Sequence, residues 1–243
     1  MSEFVRIGTA GWAVPKACRE AFPVEGSGLS RYASVFDAAE INTSFYRPHR
    51  PSTYARWAET VPDGFRFAVK LPRAITHERR LVNATEPLEV FLAEVSALSD
   101  RLGPLLIQLP PSLAFEPEAA QPFLDDLRSR FDGDVVIEPR HASWFAPEVD
   151  GSLDERRIAR VAADPARVPA AAQPGGWPGL VYYRLHGSPR MYYSAYPADA
   201  LDNMAARLKA SAEAGIPAWC MFDNTASGAA AADALGLRAR FAA

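Results

Sequence analysis

LVYYRLHG, residues 180 to 187, is a short apolar run that ends on a guanidinium and an imidazole two residues apart. Side chains alternate along a strand, so Tyr182, Arg184 and His186 fall on one face and Val181, Tyr183 and Leu185 on the other. A strand whose apolar face meets helices and whose other face becomes polar at its end fits a barrel wall: the interior is packed below, and a site opens at the C-terminal mouth. Seven further β-like runs occur at 5 to 12, 38 to 46, 65 to 72, 103 to 110, 134 to 140, 157 to 164 and 218 to 224. Between several of them lie helical patterns. In 87 to 102, Leu88, Phe91, Leu92, Val95, Leu98 and Leu102 follow one apolar face, and similar faces follow Glu116-Pro117 and run from Leu201 to Leu208. Eight alternating units in 243 residues predict an α/β fold, a (β/α)8 TIM-type barrel, as one domain over 1–243. The weak stretches are 141 to 156 and 165 to 180. The second contains PARVPAAAQPGGWPG, with too much Pro and Gly for a helix, so one outer helix is expected to be missing or irregular.

The net charge of −3 and the pI near 5.9 argue against the broad basic face that duplex nucleic acid would need. The chain has no apolar run of membrane-spanning length and no leader pattern, and Cys18 and Cys220 have no metal-ligand spacing, so a reducing, cytoplasmic setting is expected. Arg outnumbers Lys by 23 to 3, so the placement of Arg is informative and its abundance is not.

The alternation test, applied to the other strands, collects polar side chains at the mouth. Strand two sends Glu40, Asn42 and Ser44 inward, strand three Lys70, strand four Gln108, and strand five Glu138 and Arg140. Strand six ends in Asp164. In strand eight, alternation from Cys220 and Phe222 favours Asn224 over Asp223 as the inward residue. Arg140 and Arg184 are expected to clamp a phosphate or carboxylate, with Lys70 adding a point charge. Ser227-Gly228 would open the last helix with free N–H groups near such an anion. Trp12, Phe45, Tyr46, Trp144, Tyr192 and Tyr193 would either stack on a sugar or base or cap the core.

EINTSFYRP, KLPRAITHERRL, LGPLLIQLPPSLAF, EPRHASW, YYRLHGSPRMYY and FDNTASGAAAADAL, in that order, resemble the DUF72 or YecE-like family along nearly the whole chain. The resemblance implies a TIM-barrel-type fold and no settled activity. Its typical positions fall on Glu40, Asn42, Phe45, Tyr46, Lys70, His77, Gln108, Glu138, Arg140, Trp144, Arg184, His186, Gly187 and Asn224, with a departure at Asp233, where Asn is expected.

For an enzyme, these residues suggest Glu138 as general base or acid with His186 as its partner, and Arg184, Arg140 and Lys70 as anion binders. Asn42, Tyr46, Gln108, Trp144 and Asn224 would complete substrate binding. Lys70 could instead form a Schiff base if neighbouring cations depress its pKa. A second enzyme reading gathers Glu40, Glu138, Asp164 and His186 around a divalent cation, against which stand three nearby basic side chains. Two non-catalytic readings remain open: a ring of ion pairs that only fills the top of the barrel, and a protein that holds an anionic metabolite or a single-stranded nucleic-acid segment. The chain has no glycine-rich dinucleotide fingerprint, Walker loop, nucleophile elbow or H-E-x-x-H, which disfavours the usual mechanisms of hydride transfer, nucleotide hydrolysis and zinc proteolysis and leaves the cofactor open.

Overall fold

The computed structural model describes residues 4–242. Its strands and helices run β1 (Val5–Ala10), α1 (Gly28–Ala33), β2 (Ala38–Ile41), α2 (Thr43–Tyr46), α3 (Pro51–Thr60), β3 (Arg66–Lys70), α4 (Thr85–Val95), β4 (Leu102–Gln108), α5 (Pro117–Arg130) and β5 (Val135–Glu138). They continue as α6 (Pro147–Glu155), β6 (Ile158–Arg160), β7 (Ala162–Asp164), β8 (Gly175–Gly176), β9 (Val181–Leu185), α7 (Ala198–Glu213), β10 (Ala218–Phe222) and α8 (Ala229–Ala242). The sheet order is β7-β9-β10-β1-β2-β3-β4-β5-β6-β8, and every pairing is parallel except the short β6–β8 contact. This is the expected TIM-type barrel.

The sixth run is where the ring closes, and it does so in two pieces. β6 pairs with β5 through Ile158 opposite Val135, and β7 pairs with β9 through Ala162 opposite Tyr183. Val161 lies between them and donates its N–H to the Ile137 carbonyl at 2.9 Å. A single expected strand is therefore divided, because its two halves hydrogen-bond to different neighbours.

The expected gap in the outer layer is present after β7. Residues 165–180 hold only a short 3-10 turn at Pro169–Ala172 and the two residues of β8. Arg160 ties this segment down. Its guanidinium donates to Asp150 on α6 at 2.8 and 3.1 Å and to the carbonyls of Ala170 and Gln173. The other weak stretch, 141 to 156, does form a helix. In α6, Pro147 stands at the first position, Glu148 and Asp150 lie in the first turn, and Val149 and Leu153 bury one face.

Two apolar layers follow from strand alternation. Ile7, Ile41, Val69, Ile137, Leu185 and Phe222 pack outward under the helices. Ala38, Ala68, Leu106, Val136, Ala159, Tyr182, Trp219 and Met221 fill the interior. The interior admits Trp219 and Met221 because residues facing them are small. A side chain at Gly103 would stand 2.7 Å from the Trp219 ring, and one at Gly8 would meet the Ala38 carbonyl oxygen at 2.0 Å. Among the described residues no helix is long and apolar enough to cross a membrane.

Candidate functional site

Above the interior apolar layer β2, β3, β4, β5 and β9 bring polar side chains to the mouth, and Arg184 near the end of β9 links Glu40, Glu138 and Asp223 across the barrel. Its Nε and Nη2 donate to Glu40 on β2 at 3.0 and 2.6 Å, and its Nη1 donates to Glu138 on β5 at 2.5 Å. Nη2 also reaches Asp223, just beyond β10, at 3.0 Å. Tyr182, one inward position below, donates its hydroxyl to Glu40 at 2.9 Å. Arg184 is 1% exposed and Glu40 0%, so the pair is sealed beneath the mouth.

His186 spans the remaining gap. Nε2 lies 3.1 Å from Glu138 Oε1 and Nδ1 lies 3.1 Å from Asp223 Oδ2. A carboxylate only accepts, so two carboxylate partners require a proton on both ring nitrogens. Burial opposes that charge, but Glu138 and Asp223 outweigh it and the imidazole pKa is raised above its ordinary value. Glu138 shows the converse. Burial would raise it, yet Arg184, then His186 and Arg140, hold it well below the usual carboxylate range. Arg140 donates to the same Oε1 from Nε at 3.1 Å and approaches it with Nη2 at 3.0 Å. Asp223 is likewise lowered: burial works against Arg184 and the His186 hydrogen bond, which prevail.

After His186 the chain turns through Gly187, whose φ is +93° and whose missing side chain clears the Ser194 carbonyl. The turn carries Tyr192 back over the cluster, with its ring edge-on to His186 at 5.7 Å. Beside it opens a cleft of about 720 Å³ whose floor includes Glu40, Asn42, Lys70 and Asp223 and whose walls include Trp12, Tyr46, Trp57 and Tyr192.

Lys70 is 9% exposed, and its Nζ stands 4.0 Å from the centroid of the Phe45 ring. Burial first, then Arg184, brings its amine down to about 8, against the pull of Glu40, Glu138 and Asp223. His77 packs on the other side of the site against Phe45 at 4.8 Å and bonds the Thr76 hydroxyl at 2.8 Å. Burial, Lys70, Arg73 and Arg140 together bring its imidazole down to about 4.

The structure therefore brings together Lys70, Glu138, Arg140, Arg184 and His186, and places Asn42 and Tyr46 on the cleft. It also changes several expected placements. Arg184 cannot clamp a ligand, because four of its N–H groups already serve three carboxylates. Glu138 is no free base: both of its oxygens accept from cationic donors. Asn224 faces outward, where Nδ2 donates to Ser194 O and to Asp233 Oδ2 at 2.9 and 2.6 Å. The inward residue is Asp223, because Trp219 and Met221, rather than Cys220 and Phe222, point into the barrel. Asp233, where the family pattern leads to Asn, is thus held by Asn224 and by the Tyr196 N–H.

Asp164 also leaves the mouth. Alternation from Ala159 and Val161 turns it outward, where it accepts from the Tyr196 hydroxyl at 2.9 Å. The four ligands expected around a divalent cation are thus not assembled, and among the described residues no three His, Cys, Asp or Glu side chains are arranged to hold a metal. Trp144 is 0% exposed, donates to Leu113 O at 3.0 Å and stacks edge-on to Phe115, which makes it a core residue. Gln108, buried at the end of β4, donates to Leu109 O at 2.6 Å. Near the start of α8 the N–H groups of Gly228 and Ala230 bond to Thr225 and Asn224 carbonyls and are not free for an anion. The sequence reading missed Trp57 and Thr225 as cleft residues; their only signal is position, in α3 and in the loop after β10.

Three comparisons with known proteins bear on this arrangement. The curated UPF0759 protein YecE of Escherichia coli K12 is 33% identical over 173 residues, which is 69% of this chain and 61% of that protein, so the match spans about three-fifths of the relative's length. UPF0759 protein YunF of Bacillus subtilis is 27% identical over 151 residues, 59% of this chain and 53% of its own. Two solved DUF72 proteins share the fold. The one from Enterococcus faecalis has a TM-score of 0.82 at 23% identity and covers 98% of this chain and 96% of its own; the one from Thermotoga maritima scores 0.80 at 22%, covering 99% and 100%. The family model described as "Protein of unknown function DUF72" matches residues 6–243, the same stretch that builds the barrel and its charged mouth, and the chain belongs to that family.

Proposed function

We propose that this barrel binds a small phosphorylated or carboxylated metabolite in the cleft above Glu40 and Lys70 and acts on it by acid–base chemistry of the lyase, isomerase or hydrolase kind. The observation that carries the reading is the charge balance of the mouth. Glu40, Glu138 and Asp223 are matched by Arg184, Arg140 and Lys70, and the doubly bonded His186 adds a further positive charge. The excess lies toward Lys70 and Arg140, which with the Glu78-paired Arg73 depress His77, and an anion settling there would complete the balance. In this reading Arg184 and Glu138 hold the network rigid, while Lys70 and Asp223 face the ligand and His186 holds a proton against Asp223.

A second reading, a protein that holds its ligand without turnover, is favoured by the rim. Tyr46, Tyr192 and Tyr193 are exposed there, as stacking surfaces for a sugar or a single-stranded base would be.

Thermal unfolding of the wild type and of Lys70→Met against phosphorylated sugars, nucleotides and carboxylic acids tests the site. Ligand at tenfold its Kd adds about 1.4 kcal/mol, and for a chain of this size that raises Tm by roughly 3–6 °C. The rise is expected for one chemical class and is lost in Lys70→Met. A rise that survives the substitution would place the ligand elsewhere. A steep fall of affinity with salt, extending over several counterions, would favour the polyanion version.

A further inference from the structure

Lys70 differs from the other basic side chains of the mouth. Arg184 and Arg140 each hold carboxylate oxygens within 3.1 Å, whereas among the described residues no carboxylate oxygen lies within 4.0 Å of Lys70 Nζ. The amine instead rests on the face of Phe45 and lines the cleft floor. Asn42, on the same floor, has an Oδ1 that is buried without a hydrogen-bond donor, although every acceptor on Glu40 beside it is served by Arg184 or Tyr182. An amine with no ion-pair partner on the cleft floor, and beside that floor a buried acceptor with no donor on a residue that also lines the cleft, match the two atoms of a polar double bond undergoing addition: a carbon that takes a nucleophile, and an oxygen that becomes a hydroxyl.

We propose that Lys70 is a nucleophilic amine that condenses with the carbonyl carbon of a small aldehyde or ketone bearing a phosphate or carboxylate group. The proposal rests on the reading that this cleft takes a small anion. The Nζ lone pair forms the C–N bond and the carbonyl oxygen becomes the carbinolamine hydroxyl, which donates to Asn42 Oδ1. Loss of water then gives the iminium. The balance is one carbonyl and one ammonium going to one iminium and one water; two ammonium protons depart with the oxygen, and no oxidant or reductant enters. Asp223, the carboxylate of the floor that Arg184 and His186 hold in place, ferries the proton from nitrogen to oxygen. The environment favours the free amine. At pH 7.4 a group near 8 is about one-fifth unprotonated, against roughly one in a thousand for an ordinary lysine near 10.5.

The chain has only three lysines, and Lys16 and Lys209 are both exposed, which supplies internal controls. The protein is incubated at pH 7.4 with sodium cyanoborohydride and either pyruvate or glyceraldehyde 3-phosphate, then digested with trypsin. Alkylation of Lys70 blocks cleavage there and joins residues 67–73 into one heavier peptide between Arg66 and Arg73. The expected result is at least about tenfold more adduct at Lys70 than at Lys16 or Lys209 with one of the anionic probes, and no such preference with acetone. Lys70→Arg keeps the positive charge and is expected to melt like the wild type while giving no adduct at that site. Equal labelling of the three lysines by both probes overturns the imine. If the probes then still raise Tm in the wild type but not in Lys70→Met, the anion site stands without it; with neither adduct nor Tm shift, both readings fall.

Discussion

Replacing Arg184 by Met is expected to destabilise the fold by about 3–5 kcal/mol, because the substitution strands Glu40, Glu138 and Asp223 in a buried layer without the donor they share. Methionine preserves much of the volume, so the loss reports charge and hydrogen bonding more than a cavity. Urea denaturation at constant m value measures it, and the midpoint should fall accordingly. Arg184→Lys should recover little, since one ammonium cannot reach carboxylates on β2, on β5 and beyond β10 together. Adding Glu40→Gln and Glu138→Gln to Arg184→Met should restore part of the loss by removing the unpaired charges. A midpoint within about 1 kcal/mol of wild type in Arg184→Met alone would show that the ion network does not support the barrel.

The same network gives stability an acid and an alkaline limb. Glu138 and Asp223 are depressed in the folded state, so their contribution is present above the ordinary carboxylate pKa values near 4 and is lost as pH falls through the folded ones. Where both take up protons together, the slope reaches roughly 2.7 kcal/mol per pH unit. His186 is raised, so its contribution is complete below about 6.5 and is lost as pH rises through its folded value, with a slope up to about 1.4 kcal/mol per unit. The network is therefore strongest between about pH 4.5 and 6.5. Chemical denaturation across pH for wild type and His186→Gln isolates the alkaline limb: the difference between the two should be constant below 6.5 and shrink above it. Lys70 acts in the opposite direction above about 8, because its depressed ammonium favours the unfolded chain until it loses its proton, and the comparison with His186→Gln cancels that effect. A difference between the two proteins that does not change with pH would mean that His186 is not charged between its carboxylates.

The barrel was legible in the sequence because alternation along LVYYRLHG and its counterparts is a local signal that tertiary contacts reinforce. The mouth was legible for strands two, three, four, five and seven, where Glu40, Lys70, Gln108, Glu138 and Arg184 all point inward as their apolar neighbours predict. Strand eight misled because AWCMF is apolar at every position, so no polar face sets its parity; Trp219 and Met221 point inward, and the room for them comes from Gly8 and Gly103, on other strands. Asp164 misled for a related reason: the sixth run changes partner at Val161, and no local pattern announces a change of partner. The role of Arg184 was the furthest from reach. A guanidinium at a strand end reads equally well as a ligand clamp or as a structural hub, and only the distances to three carboxylates from distant parts of the chain decide between them.

The change of partner at Val161 also makes the ring mechanically uneven. The wall passes from β5 to β9 through two three-residue pieces, β6 and β7, that hydrogen-bond to different neighbours, and only the Pro169–Ala172 turn and β8 lie in the chain between β7 and β9. A closed hoop yields first at the joint where its ladder is interrupted, and local opening draws on such breaks. That joint borders the charged layer directly, since the His186 N–H is bonded to the Asp164 carbonyl at 2.7 Å. The pliable side of this barrel and its most highly charged side are one and the same, so any widening of the wall loosens the imidazole before it disturbs the strands that carry Glu40 and Lys70.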